Sequence, residues 1–291
     1  MARKNIESVL VIGGTGFIGS AVVREFAKRP QTRLSVIHSS PLRHARPVNA
    51  LYYRLDAKDK ALVEIIRGHD AIVLLAPPEA ATMHSIAAAI RMACPRHVLY
   101  ASTVLLYDAK GKPAHESTPL APHNAYERVK LKEEKMLRAV AKKQTNLTIA
   151  RLGNVYGDVL NEGIIGKAFH ALHRGEAISL AGDAVRDYVF IDDVARALAE
   201  LTLEPRGALE IVNVSTGQGT PLGKLLSSIE KVAGKQIPRK ESEPSAENEW
   251  VVADNKKLKR RIGELKYSLR EGLRETKRRF STWYDYHAYE G

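Results

Sequence analysis

From residue 8 to about residue 150 the chain alternates short apolar runs with longer stretches in which apolar positions recur every three to four residues. The runs at 9–12, 34–37, 71–76, 97–102 and 147–151 are nearly continuous, as strands buried on both faces must be. Between them, 18–28, 61–67, 80–93 and 125–143 carry the helical period. Strand–helix alternation of this kind predicts an α/β fold. Parallel neighbours need crossovers, and right-handed crossovers lay helices on both faces of a doubly wound parallel sheet. After residue 157 the pattern loosens. Residues 158–182 read as a loop and a helix leaving the sheet, 189–191 and 211–214 as returning strands, and 216–291 as helices and connectors with a turn-rich stretch at 241–248.

The first strand runs into Gly13-Gly14-Thr15-Gly16-Phe17-Ile18-Gly19, and a helix follows. At a strand-to-helix turn this spacing fits a dinucleotide pyrophosphate site. The first glycines allow the tight turn and close backbone approach, the helix N-terminus faces the phosphates, and Gly19 lets helix and strand pack. The second strand should distinguish the two nicotinamide dinucleotides, because a carboxylate at its end binds the ribose hydroxyls and repels a 2′-phosphate. The residues there are His38, Ser39 and Ser40, followed by Arg43, with no acid nearby. Hydroxyls and a guanidinium suit NADP(H), and NAD(H) stays as the alternative. Asp56 can accept from an adenine amino group or cap a helix.

Tyr126 and Lys130 lie four residues apart, on one face of a predicted helix. A phenol with a pKa of ~10 is a poor base at neutral pH; a nearby ammonium and an oxidised nicotinamide would lower it. Upstream, Thr103 ends a buried strand and can hydrogen-bond a reacting oxygen.

Taken in order, these residues resemble the extended short-chain dehydrogenase/reductase family, the nucleotide-sugar epimerases, dehydratases and ketoreductases. Besides Gly13, Gly16 and Gly19, the chain shows Leu55-Asp56-Ala57-Lys58-Asp59, similar to the adenine-site strand, and Leu74-Leu75-Ala76, similar to the segment beneath the cofactor. Ser102-Thr103 through Tyr107 resembles the catalytic-hydroxyl strand, and Tyr126 with Lys130 the active pair. Residues 151–157 resemble the segment whose asparagine, here Asn154, contacts the sugar nucleotide. Residues 186–194 resemble the stretch whose arginine, here Arg186, binds its diphosphate, and 253–254 and 269–273 fit the family's C-terminal pattern. The resemblance implies a Rossmann-type domain over 1–157, with returning elements in about 186–215, and a smaller substrate-binding lobe from 158–185 and 216–291. It makes Tyr126 the acid/base, Lys130 its orienter and a ribose ligand, and Thr103 the hydroxyl partner. Helices 80–93 and 124–143 resemble those through which family members dimerise, so a homodimer is expected.

Val104-Leu105-Leu106 follow Thr103 where the family's dehydratases and decarboxylases carry an acid, and apolar side chains cannot move a second proton. A ketoreductase using NADPH and an epimerase retaining its cofactor remain, and the missing acid after the second strand favours the reductase. Pro77-Pro78 and the compact segment between Asn154 and Arg186 leave a smaller carbonyl substrate open. Some relatives of this fold sense the NADP redox state or bind RNA without an active tyrosine, which Tyr126 argues against.

Composition adds three points. One cysteine in 291 residues excludes an internal disulfide and fits a reducing, cytoplasmic setting; Cys94 itself reads as a small buried hydrophobe. No run approaches the ~20 apolar residues of a membrane helix. The net charge of +12 raises nucleic acid as a partner. Much of the excess lies at 255–279, interspersed with Leu258, Ile262, Leu265, Leu269 and Leu273, the pattern of amphipathic helices with solvated faces. Nucleic acid is therefore not the expected partner; the family resemblance implies a nucleotide sugar or related carbonyl compound instead, and no metal is expected.

Overall fold

The computed structural model describes residues 5–39, 47–56, 58–75, 80–141, 144–159, 163–180, 184–241 and 250–287. The chain runs β1 (Ser8–Ile12), α1 (Phe17–Ala27), β2 (Arg33–His38), β3 (Ala50–Arg54), α2 (Ala61–Arg67), β4 (Ala71–Leu74), α3 (Ala80–Ala93), β5 (His97–Thr103), a 3-10 turn (Val104–Leu106), α4 (Ala125–Val140) and β6 (Asn146–Leu152). It continues through β7 (Asn154–Tyr156), α5 (Ile164–Arg174), β8 (Ile178–Leu180), β9 (Val185–Phe190), α6 (Ile191–Leu203), β10 (Leu209–Val214) and β11 (Gly219–Pro221). It closes with α7 (Leu222–Ala233), β12 (Arg239–Glu241), β13 (Trp250–Val251), α8 (Lys256–Ile262) and α9 (Leu269–His287).

The main sheet has seven parallel strands in the order β10-β6-β5-β4-β1-β2-β3. This is the doubly wound, Rossmann-type arrangement that the alternation predicts. Successive side chains of a strand point to opposite faces, so Val9 and Val11 of β1 join one core with Val22 and Phe26 of α1 and Leu198 of α6. Leu10 and Ile12 join the other, with Leu62 of α2, Met83 and Ile90 of α3 and Leu137 of α4. The strand order reverses between β1 and β4, which places the ligand crevice at their carboxyl ends. His97 is wholly buried, bonded to Thr202 O and the Thr148 hydroxyl at 2.9 Å each; burial pushes its pKa down to about 4, so it holds strand and helix together as a neutral ring.

Of the segments expected to return to the sheet, only β10 does so. Of the strand expected at 189–191, Val189 and Phe190 end β9, which pairs with β7, β11 and β13 in a separate four-stranded sheet, and Ile191 opens α6. Asp187 of β9 ties that sheet to the following loop, accepting from the Thr216 amide (2.8 Å), the Thr216 hydroxyl (2.6 Å) and the Gly217 amide (2.9 Å).

The basic C-terminal stretch folds as α8 and α9, which bury Leu258 and Leu273. Much of its charge is committed to the fold: Arg261 pairs with Glu210, and Arg279 with Asp192 at 2.7 Å and Glu275 at 3.0 Å. Two sequence readings need correction. Cys94 is exposed rather than buried, because it follows the last turn of α3 with a φ of 51° that turns it out of the core. Asp56 does not cap α2; it closes a turn by accepting from the Lys58 amide at 2.8 Å, while Asp59 accepts from the first amide of α2 at 2.9 Å. Among the described residues no helix is long and apolar enough to cross a membrane.

Candidate active site

The glycine turn joins β1 to α1 at the strand-order reversal. Gly13 has a φ of +84°, and a Cβ there would lie 2.6 Å from the Leu75 carbonyl oxygen. At Gly19 a Cβ would lie 2.1 Å from the Gly13 carbonyl oxygen, so any side chain there pushes α1 off the turn. Gly16 is the N-cap of α1 and brings no capping side chain, which leaves the first amides of the helix open to an anion. The residues present thus form a backbone cradle of the kind a dinucleotide diphosphate needs.

Gly13, Gly16, Phe17, Ile18, Gly19 and Leu75 line one end of a cavity of about 400 Å³. Thr103, Tyr126, Lys130 and Asn154 line the same cavity. Thr15, His38, Ser39, Asp56 and Arg186 lie outside its lining. His38 is buried at the end of β2, with its ring edge-on to Tyr52, and Ser39 beside it is exposed. Ser40, Arg43, Ala57 and Ala76 lie outside the described residues. Sequence reading missed Arg54, an exposed cation paired in register with His38 and so on the same side of the sheet.

Tyr126 is presented by the first turn of α4. Asn124 caps the helix by accepting from the Glu127 amide at 3.0 Å, and Glu127 reaches back to the His123 amide at 2.6 Å, a reciprocal capping box. The phenol is half exposed and hydrogen-bonded with Thr103, whose hydroxyl also accepts from the Leu105 amide at 3.2 Å and so starts the 3-10 turn. Lys130, one turn along, is buried. Its Nζ donates to the Tyr100 hydroxyl at 3.1 Å and to the Ala101 carbonyl at 3.2 Å, and lies 6.0 Å from the Tyr126 ring centre.

The electrostatics depart from the sequence expectation. Burial, and next the charge of Glu133, push the Tyr126 phenol above its usual range despite the bond with Thr103. Burial pulls Lys130 below its usual range, with Glu133 and Glu134 working against that. In the chain alone the lysine is therefore engaged by its own surroundings and does not lower the phenol.

Behind the site lies a buried ionic clamp that sequence reading also missed. Glu134 is wholly buried and accepts from Arg151 Nε (2.9 Å), Arg151 Nη2 (2.7 Å) and the Ser102 hydroxyl (2.6 Å). Burial alone would raise its carboxyl, but the bonds and charge of Arg151, with those of Ser102 and Arg138, hold it below the usual range. The clamp ties α4 to β5 and β6 directly behind Thr103 and Lys130. The only sequence signal was a glutamate four residues beyond Lys130, hence on the same helix face.

Asn154 of β7 is half-buried and pairs in register with Tyr188 of β9. Arg186 lies two residues before Tyr188 on β9 and is buried, its guanidinium 3.4 Å from the Val185 carbonyl. A larger cavity of about 580 Å³ opens at the opposite, amino-terminal edge of the main sheet. Its arginines serve the fold: Arg33 bonds the Gly68 carbonyl, Arg67 pairs with Glu64, and Arg96 with Asp70 at 3.1 Å.

The profile of the NAD dependent epimerase/dehydratase family matches residues 9–215. Among similar proteins, a UDP-glucose 4-epimerase of Lactobacillus helveticus is 28% identical, the match covering 88% of this chain and 91% of that protein. A dTDP-4-dehydro-6-deoxyglucose reductase of Escherichia coli is 26% identical over 91% of this chain and 92% of its own. Among solved structures, a UDP-glucose 4-epimerase of Thermotoga maritima with UDP-glucose superposes with a TM-score of 0.83 at 26% identity, covering 95% of this chain and 99% of that one. With the profile running from the first strand to the end of β10, this chain belongs to the NAD dependent epimerase/dehydratase family and is an enzyme of the extended short-chain dehydrogenase/reductase type.

Proposed function

We propose that this enzyme transfers hydride between a nicotinamide dinucleotide and a carbonyl carbon of a nucleotide-activated sugar, with NADPH as the preferred donor and reduction of a keto sugar as the net reaction. The observation that carries the reading is the single cavity running from the glycine turn past Lys130, Tyr126 and Thr103 to Asn154. The cofactor, when bound, supplies the hydride. Gly13, Thr15, Gly16, Phe17, Ile18 and Gly19 hold its diphosphate, Asp56 borders the adenine, and Leu75 underlies the rest. Lys130 holds the nicotinamide ribose, Thr103 orients the reacting oxygen and Tyr126 exchanges its proton with that oxygen. Asn154 and Arg186 hold the nucleotide and diphosphate of the sugar, under a lobe formed by 158–185 and 216–291. The enzyme works in the cytoplasm as a homodimer across α3 and α4.

The preference for NADPH rests on the end of β2, where His38 and Ser39 stand in place of an acid. Arg54 in register with His38, and Ser40 and Arg43 further along, add donors for a 2′-phosphate. Epimerisation is the second reading, favoured by the UDP-glucose 4-epimerases among the similar proteins. An epimerase returns the hydride it takes and keeps its cofactor, whereas a reductase exchanges cofactor at every turnover.

The test is to denature the purified protein, assay the released dinucleotide, and titrate undenatured protein with NADPH and NADH. Empty protein that binds NADPH more tightly supports the reductase, and His38→Asp should then shift the preference toward NADH by about tenfold or more, through repulsion of the 2′-phosphate. Stoichiometric co-purified NAD would favour the epimerase and overturn the reading of His38 and Arg43.

A further inference from the structure

Glu133 lies three residues beyond Lys130 on α4 and is only 3% exposed. A carboxylate buried this deeply is costly unless its oxygens are paired. Its Oε2 accepts from the Tyr100 hydroxyl and lies 3.6 Å from Lys130 Nζ. Its Oε1 is buried and accepts no hydrogen bond from the described residues. A purely structural anchor would use both oxygens, as the adjacent Glu134 does. Glu133 is instead half-satisfied, and its one engaged oxygen is bound to the group that also holds the lysine.

We infer that Glu133 is a positioning residue that keeps the site in the form reduction needs: it holds Lys130 against Tyr100, sets its own negative charge beside the pair, and so retains Tyr126 as the protonated donor. The inference rests on the reductase reading above. In the reduction the carbonyl carbon gains the hydride and the carbonyl oxygen gains the Tyr126 proton, so the C=O π bond is replaced by C–H and O–H bonds. The cofactor leaves oxidised, and the phenolate recovers its proton from water. Below its pKa the phenol is the donor this step needs, and both burial and Glu133 raise that pKa. Glu127 adds a smaller push in the same direction from the helix itself. The other groups facing the pair are Tyr100 and Thr103 of β5 and Glu134 of α4, the last clamped to Arg151 of β6. The titratable residues of α3, His84 and Arg91, are exposed, and the 3-10 turn carries none.

The test is direct titration of Tyr126 by carbon-13 NMR in protein labelled at the hydroxyl-bearing tyrosine carbon, its signal assigned with Tyr126→Phe. In E133Q, which keeps the shape and removes the charge, Tyr126 should bind its proton about tenfold more weakly than in the unaltered enzyme. E133L, which needs no hydrogen-bond partner, should show the same change should E133Q fail to fold. The decline of keto-sugar reduction with rising pH should begin at lower pH in the neutral variant, with KM little altered. A folded neutral variant whose Tyr126 titrates as in the unaltered enzyme overturns the inference. Because the titration needs no substrate, absence of keto-sugar reduction in every protein alongside the shifted titration would leave the coupling standing and overturn the reductase reading.

Discussion

Tyr126→Phe is expected to lower turnover by about 10²–10⁴-fold, the usual worth of a positioned proton donor, while NADPH binding changes little. The hydroxyl is the only atom removed. The ring that lines the cavity and the capping box of Asn124 and Glu127 that positions it both remain. Steady-state kinetics paired with a cofactor titration check this. A variant losing both turnover and cofactor binding would mean that Tyr126 shapes the site instead of exchanging the proton. Thr103 hydrogen-bonds this hydroxyl, so its substitution should also slow the reaction, in a way not additive with the loss of Tyr126.

The second large effect belongs to the clamp behind the site. Glu134→Ala leaves the wholly buried Arg151 guanidinium without its bidentate partner, and removing one member of a buried pair costs about 3–5 kcal/mol. Thermal unfolding should show a fall in Tm on the order of 10 °C. The pH dependence has a defined sign. Glu134 is held below its unfolded value, so its contribution is present above the unfolded pKa of ~4.3 and is lost as pH falls toward the folded one. The unaltered enzyme should therefore lose stability on acidification over that range, and the variant should lose less. Equal acid sensitivity in the two would show that the pair does not set it.

Local pattern carried the elements that matter most to the site. The runs at β1, β2, β4, β5 and β6 are apolar on both faces because the strands are buried on both faces, and the glycine turn stands out because Gly13 and Gly19 face steric limits that no other residue meets. What stayed hidden has physical reasons. β3 is the edge strand of the main sheet, half-buried and mixed in polarity, so only the family resemblance implied a strand before Asp56. α6 follows β9 directly, with Phe190 at its N-cap and no side-chain cap, so no capping residue separates strand from helix; only the acids of its first turn, Asp192 and Asp193, and the narrow polar stripe of Asp192, Arg196 and Glu200 mark it. The strands of two or three residues in the smaller sheets depend on distant partners.

The site divides in the same way. Tyr126, Lys130 and Thr103 were legible by spacing and by position at a strand end. Glu133, Glu134 and Arg151 were not, since on a helix or strand these charges read as solvated and only tertiary packing buries them. Arg54 became visible only through its register with His38.

The central claim is best tested by mixing the enzyme with NADPH deuterated at the transferable position and a nucleoside-diphosphate keto sugar, then following dinucleotide absorbance and product mass together. The account predicts consumption of one NADPH for each deuterated alcohol formed, with none formed by Tyr126→Phe beyond its residual rate. Interconversion of nucleotide-sugar epimers with no net consumption of NADPH, or no transfer of deuterium at all, would contradict it.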